Sequence, residues 1–288
     1  MKSYIVYNIF QLQMRYFYGR KMDSRKEFLK KIKYFVLDMD GTFYLGNKII
    51  PGSLEFLKKV EETGRHFMFF TNNSSKSPSV YIQKLAGMNC FINREQIMTS
   101  GDVTIQYLKT YFPEKKVYLL GTEALVASFM ESGINLTNDS GQTPDIVVVG
   151  FDTTLTYEKL SKTCTYIRNG AAFFSTHCDI NCPTEDGFIP DVGSFNACIS
   201  LSTGGKQPRY FGKPNLETVE MVVQRTGGRP EEIAFVGDRL YTDVATGVKN
   251  GSNGILVLSG EASMTDVEKS DVKPDAIFEN LAEIASLL

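Results

Sequence analysis

The sequence predicts an α/β protein built on a mainly parallel sheet. Three observations carry this. Apolar strand-like runs alternate with amphipathic helical stretches along the chain, the pattern of βαβ units. Several runs, such as 66–70 (His-Phe-Met-Phe-Phe) and 146–150 (Ile-Val-Val-Val-Gly), are apolar enough to be buried on both faces, as parallel strands are. The first run, within 34–39, leads into two carboxylates, Asp38 and Asp40, at the strand end where open α/β sheets bind ligands.

The elements follow in order. After the strand at 34–39, Ser53 is placed to cap a helix with Leu54, Leu57 and Val60 on one face, and Gly64 suits its end. The strand at 66–70 precedes Ser77-Pro78, which reads as N-cap and first helical position, with Tyr81, Ile82 and Leu85 facing inward. A further helix is expected over about 102–111. A second α/β unit then begins with a strand at 117–121 and a helix capped by Thr122, carrying Leu125, Val126, Phe129 and Met130 and ended by Gly133. A strand at 146–150, a helix at 157–168 and a short strand at 171–175 complete it. Residues 176–194 read as loop. Near 209 the chain returns to the first unit, where strands at 233–237 and 254–258 flank a helix. A short strand at Asp275–Phe278 and a closing helix finish it.

Composition narrows the function. At 42% hydrophobic and 22% charged, the 288-residue chain is globular. A net charge of −2 and a pI near 5.9 give no support to binding nucleic acid by phosphate neutralisation. No run approaches the length of a membrane span. The five cysteines are scattered, and His177 beside Cys178 and Cys182 lacks a second Cys/His pair at zinc spacing. Free thiols in a cytoplasmic protein are the simpler reading. Residues 1–21 are aromatic and basic, without an acid or a signal-peptide cleavage site. The expected native start is therefore Met22, with an upstream extension before it.

Four pieces are placed to converge. Asp38 and Asp40, two residues apart on an extended segment, point the same way. Thr71-Asn72-Asn73 follows the strand at 66–70. Lys213 lies in Gly212-Lys213-Pro214, with Pro214 suited to a helical first turn. Asp238 follows the strand at 233–237, with Asp243 five residues on. Each alone has a plain structural reading: a turn, a surface lysine, a helix cap. Together they suit phosphoryl transfer. Carboxylates supply hard oxygen ligands for Mg²⁺, while a hydroxyl, an amide and a lysine supply donors to phosphate oxygens. A carboxylate can also act as nucleophile.

This set resembles the haloacid dehalogenase-like phosphohydrolase superfamily. Asp38-Met-Asp40-Gly41-Thr42 is similar to its first motif, Thr71 to its second, Lys213 to its third and Gly237-Asp238-Arg-Leu-Tyr-Thr-Asp243 to its fourth. Over roughly 33–265 the likeness is closer to the NagD-type branch (subfamily IIA), which includes 4-nitrophenyl, pyridoxal-phosphate and phosphoglycolate phosphatases. It implies a Rossmann-like doubly wound core over 31–105 and 208–288, after an N-terminal extension at 1–30. An α/β cap of the C2 type over 106–207 would close over the site and exclude water. It also implies Asp38 as nucleophile and Asp40 as general acid and then base. Thr71 and Lys213 would hold the phosphoryl group, with Asn72 and Asn73 beside them. Mg²⁺ would sit on the Asp38 carboxylate, the Asp40 carbonyl and Asp238, supported by Asp243. Caps of this branch often carry homodimer contacts.

Two positions depart from the branch. His177 stands where Asn is usual, and Asp191 where Gly is favoured. Both fall in the implied cap, so they bear on substrate rather than on reaction. The substrate expected is a small phosphorylated metabolite. A phosphotransferase or mutase using the same aspartyl-phosphate is an alternative, as is a receiver-like signalling module. The inserted α/β unit and the chain length argue against the receiver.

Overall fold

The computed structural model describes residues 24–138, 140–184 and 187–288. The expected start at Met22 and the stretch before it lie outside these residues. In chain order the first elements are α1 (24–30), β1 (Tyr34–Leu37), β2 (Tyr44–Leu45), β3 (Lys48–Ile49), α2 (Ser53–Glu62), β4 (His66–Thr71), α3 (Pro78–Ala86), β5 (Ile97–Thr99) and α4 (Ser100–Tyr111). Next come β6 (Val117–Leu120), α5 (Glu123–Glu131), β7 (Ile146–Val149), α6 (Tyr157–Arg168), β8 (Ala172–Ser175), β9 (Asn181–Thr184), β10 (Gly187–Pro190), α7 (Val192–Ser202) and β11 (Arg209–Tyr210). The last are α8 (Leu216–Thr226), β12 (Ile233–Gly237), a π-helical stretch at Leu240–Val244, α9 (Ala245–Lys249), β13 (Asn253–Val257), α10 (Met264–Lys269), β14 (Ala276–Phe278) and α11 (Leu281–Ala285).

The first sheet is parallel throughout, in the order β14-β13-β12-β1-β4-β5. The chain builds outward from β1 in one direction through β4 and β5, then returns to build outward through β12, β13 and β14. The switch point therefore lies between β1 and β12, where a doubly wound sheet opens a crevice at its C-terminal edge. Strand side chains alternate between two cores. Phe35, Leu37, Phe67, Phe69 and Val236 face one side, where Leu29 of α1 and Phe56 of α2 are also buried. From residues 24–30, Leu29 is buried in this core and Phe28 packs partly against it. Val36, Met68, Phe70 and Phe235 face the other side.

The second sheet, β11-β8-β7-β6, is also parallel. One face packs Tyr118, Leu120, Val147 and Val149 with residues of α6 and α7. The other face joins the core of the first sheet: Val117, Leu119, Ile146, Val148 and Phe174 share a cluster with Val36, Phe70 and Phe211. Phe211 lies at the junction, its ring 5.4 Å from that of Phe174 and 4.8 Å from that of Tyr107. Helix α4 is unbroken from Ser100 to Tyr111, so a division at 105/106 would cut it. Strand β11 pairs with β8, so the second sheet ends at Tyr210, beyond 207.

Several local expectations change. Helix α2 begins at Ser53, with left-handed Gly52 at the N-cap. Pro214 precedes a helix capped at Asn215 instead of lying in its first turn, and the Lys213–Pro214 bond is cis. The stretch read as loop at 176–194 contains the antiparallel hairpin β9–β10 and the start of α7. Thr122 does cap α5, accepting from the Leu125 N–H at 3.3 Å.

If the two sheets share one core, Phe211→Ala creates a cavity at their junction. It should cost about 3–5 kcal/mol in urea unfolding. A loss below about 1 kcal/mol would mean that the junction is not a packed core.

Candidate active site

The C-terminal edge at the switch point collects the carboxylates. Asp38 leaves β1, Asp238 leaves β12, and Asp243 returns on the π-helical stretch; one ligand atom from each lies within 4.8 Å of the others. Two glycines make room. Gly41 has φ +83°, and a Cβ there would come within 2.2 Å of Asp238 Oδ2. A Cβ on Gly237 would lie 2.2 Å from Asp243 Cγ. In both motifs, therefore, any side chain would strike a carboxylate of the site.

Lys213 reaches this cluster from the loop after β11. Its Nζ donates at 2.6 Å to Asp38 Oδ1, at 2.6 Å to Asp243 Oδ1 and at 3.4 Å to the Phe70 carbonyl. Asp243 is held from its other side by the Arg239 N–H, which donates to Oδ2 at 3.2 Å. Asp238 Oδ2 accepts from the Glu261 N–H at 2.8 Å, while its buried Oδ1 has no hydrogen-bond partner.

Asp38, Asp40, Thr71, Asn72, Asn73 and Lys213 all line one cavity of about 390 Å³, roofed by residues of the second sheet's unit. Asp40 is exposed to it. Thr71 Oγ1 accepts from the Asn73 N–H at 3.2 Å. Asn72 plays a different part from the phosphate contact expected. Its Oδ1 accepts from the Lys213 N–H at 2.8 Å, and its Nδ2 donates to the Lys213 carbonyl at 3.0 Å and to both Asp179 oxygens at 3.2 Å. The side chain is thus a brace for the lysine loop. A larger hollow, about 640 Å³ around Tyr34, Arg65 and Arg225, contains none of the predicted site residues.

Known proteins resemble this chain along most of its length. The family model described as "Haloacid dehalogenase-like hydrolase" matches residues 35–135, and a second, "HAD-hyrolase-like", matches 210–284. The acid sugar phosphatase of Staphylococcus aureus is 34% identical over 255 residues, spanning 88% of this chain and 97% of the relative. The 4-nitrophenylphosphatase of Thermotoga maritima is 45% identical, with a TM-score of 0.85 over 90% of this chain and 98% of that one. NagD of E. coli K-12 is 29% identical, with a TM-score of 0.80 over 88% and 98%. The chain belongs to the haloacid dehalogenase-like hydrolase family. Within it the chain is a NagD-type phosphatase, a phosphoric monoester hydrolase. Among the described residues no helix is long and apolar enough to cross a membrane.

The electrostatics of this phosphatase suit a bound cation. Burial pushes Asp38 up to about 7 against the pull of Lys213, and Asp243 and Asp238 push the same way. Burial and Asp243 push Asp238 up to about 6. Burial alone would lower Lys213, but Asp243 and Asp38 raise it above its ordinary value. A crowded carboxylate cluster with one unpartnered buried oxygen fits a divalent cation, because oxygen-rich sites supply what hard cations require. Asp38, Asp238 and Asp243 lie close enough together to share such an ion.

Sequence reasoning missed other residues of the cavity. Arg239, directly after Asp238, lines it and pairs with Glu261 at 2.8 Å. Lys84 lines it from α3, its Nζ 3.9 Å from the Tyr44 ring centroid. Asp179 lines it from the second sheet's unit, beside Asp191, which the sequence had already singled out. For Arg239 the available signal was adjacency to Asp238; the others become neighbours only through tertiary packing.

Two outcomes follow. Asp238→Asn removes a buried charge while keeping an acceptor for Glu261, so the cation-free protein should gain about 0.5–2 kcal/mol. Its thermal shift with Mg²⁺ should disappear; an undiminished shift would remove Asp238 from the metal site. For pH, Asp38 and Asp238 titrate near 3.8 when unfolded and at about 7 and 6 when folded. The stability they give when protonated is complete below pH 4 and is lost as pH rises through 6–7. Cation binding needs the ionised forms, so Mg²⁺ should stabilise much more at pH 8 than at pH 5. Equal shifts at both would contradict that linkage.

Proposed function

We propose that this phosphatase is Mg²⁺-dependent and hydrolyses small phosphomonoesters through an aspartyl-phosphate on Asp38. The observation that carries the reading is the placing of Asp38: its Oδ1 is fixed by Lys213 Nζ at 2.6 Å, at the sheet's switch point, facing the cavity.

The chain's own groups supply the steps. An Asp38 oxygen attacks phosphorus as the bond to the leaving oxygen breaks, and Asp40 gives that oxygen its proton. Asp40, now anionic, takes a proton from water, whose oxygen attacks the same phosphorus. The Asp38–phosphorus bond then breaks, releasing phosphate. Thr71 and Lys213 donate to the phosphoryl oxygens, where charge develops. Held by Asp38, the Asp40 carbonyl and Asp238, Mg²⁺ would supply positive charge to offset the repulsion between carboxylate and phosphate.

Burial supports water as the acceptor in an enclosed site. The second sheet's unit closes on the Thr71–Ser75 loop through Ser74 Oγ and Thr176 Oγ1 at 3.0 Å, and through Thr122 Oγ1 donating to the Ser75 carbonyl at 2.9 Å. We read this unit as the cap. The Staphylococcus aureus relative points to sugar phosphates as the substrate class. A cytoplasmic homodimer joined through the cap completes the reading, and light scattering of the purified protein tests the dimer.

Phosphate release from 4-nitrophenyl phosphate and sugar phosphates, with Mg²⁺ and after chelation, tests the proposal. Chelation should abolish turnover, and Asp38→Asn should leave none. Asp40→Asn should lower kcat by about 10²–10⁴-fold. An active Asp38→Asn enzyme would refute the nucleophile, and a loss below about tenfold would refute the acid–base role of Asp40.

A further inference from the structure

The two departures from the branch pattern meet in space. His177 is fully buried, and its Nε2 lies 3.5 Å from Asp191 Oδ1. Its Nδ1 lies 3.4 Å from the Asp179 N–H, which donates to it, and 3.5 Å from Asp179 Oδ2. With Nδ1 accepting, the ring proton sits on Nε2, which lies 3.5 Å from Asp191 Oδ1. Nε2 makes no hydrogen bond among the described residues, so Asp191 stands beside a buried, unsatisfied donor. Each ring nitrogen lies 3.5 Å from a different carboxylate, so the ring stands between Asp179 and Asp191.

The unit is rigid on both sides. Asp191 caps α7, its Oδ1 accepting from the Val192 N–H at 2.6 Å. Asp179 is gripped by Asn72, the brace of the Lys213 loop. Both carboxylates line the cavity that holds Asp38, while His177 stands behind them. The cavity wall formed by the second sheet's unit therefore presents two fixed acceptors. The cations that share the wall are engaged elsewhere or solvated: Arg239 pairs with Glu261, Lys84 sits on Tyr44, and Lys76 is exposed.

We propose that Asp191, positioned by His177 beside Asp179, selects phosphomonoesters whose leaving group offers hydroxyl donors and rejects those whose leaving group carries a carboxylate. A hydroxyl donates to these acceptors, whereas a carboxylate meets like charge in a partly desolvated space. The proposal rests on the phosphatase reading above and adds a determinant of substrate choice to it.

The test compares kcat/KM for glycerol phosphate and for phosphoglycolate, with 4-nitrophenyl phosphate as the check on the wild-type enzyme. Wild type should prefer glycerol phosphate at least tenfold. Asp191→Asn keeps an N-cap oxygen, so the helix is retained while the charge is lost. It should reduce that preference at least tenfold, mainly through a lower KM for phosphoglycolate. His177→Asn should shift the ratio the same way. Combining the two should add little, because both act on one carboxylate. No wild-type preference, a ratio unmoved by Asp191→Asn, or an equal loss on both substrates would overturn the inference. Failure of the wild type to hydrolyse any of the three esters would instead overturn the phosphatase reading, and the inference with it.

Discussion

The buried ammonium of Lys213 between Asp38 and Asp243 is the interaction on which the rest depends. Asp38, Asp238 and Asp243 converge in a space where unit charges about 4 Å apart interact by roughly 4 kcal/mol at an effective dielectric of 20. Without a cation among them the cluster would protonate or separate. Lys213 permits Asp38 and Asp243 to be neighbours, yet Asp38 and Asp238 both keep raised pKa values and Asp238 keeps an unpartnered oxygen. That imbalance is what a divalent cation would relieve.

The fold exists around this requirement in a recognisable way. The order in which the chain adds strands reverses between the adjacent parallel strands β1 and β12, so Asp38 and Asp238 arrive side by side. Gly41 and Gly237 remove the side chains that would collide with carboxylates. Lys213 comes from a third place, the loop leaving the second sheet. Its backbone is fixed by Asn72, and Asn72 in turn holds Asp179 of the cap. Cap position and lysine position are thus mechanically linked through one amide, while Phe211 ties the same loop into the apolar core between the sheets.

Much of this was readable in the sequence, and the limits have physical causes. Asp38, Asp238 and Thr71 could be placed because each follows an apolar strand, and parallel strands end on one edge. Lys213 was identifiable by motif, but Pro214 misled about the helix, which begins after the turn and is capped at Asn215. Asn72 looked like a phosphate donor because polarity does not reveal which partner an amide takes. The hairpin at 181–190 was hidden by Pro183, Gly187 and Pro190, which read as loop but sit in a two-stranded ribbon open to solvent. His177 and Asp191 stood out individually; their contact spans that hairpin, and no local spacing announces it.

Thermal unfolding of Lys213→Met, with and without Mg²⁺, probes the buried charge balance most directly. Removing the cation leaves the carboxylates uncompensated, so the metal-free variant should lose about 3–5 kcal/mol relative to wild type. Mg²⁺ should restore a larger share of stability to the variant than it adds to the wild type. A Lys213→Met protein as stable as wild type without Mg²⁺ would show that the lysine does not hold the cluster together.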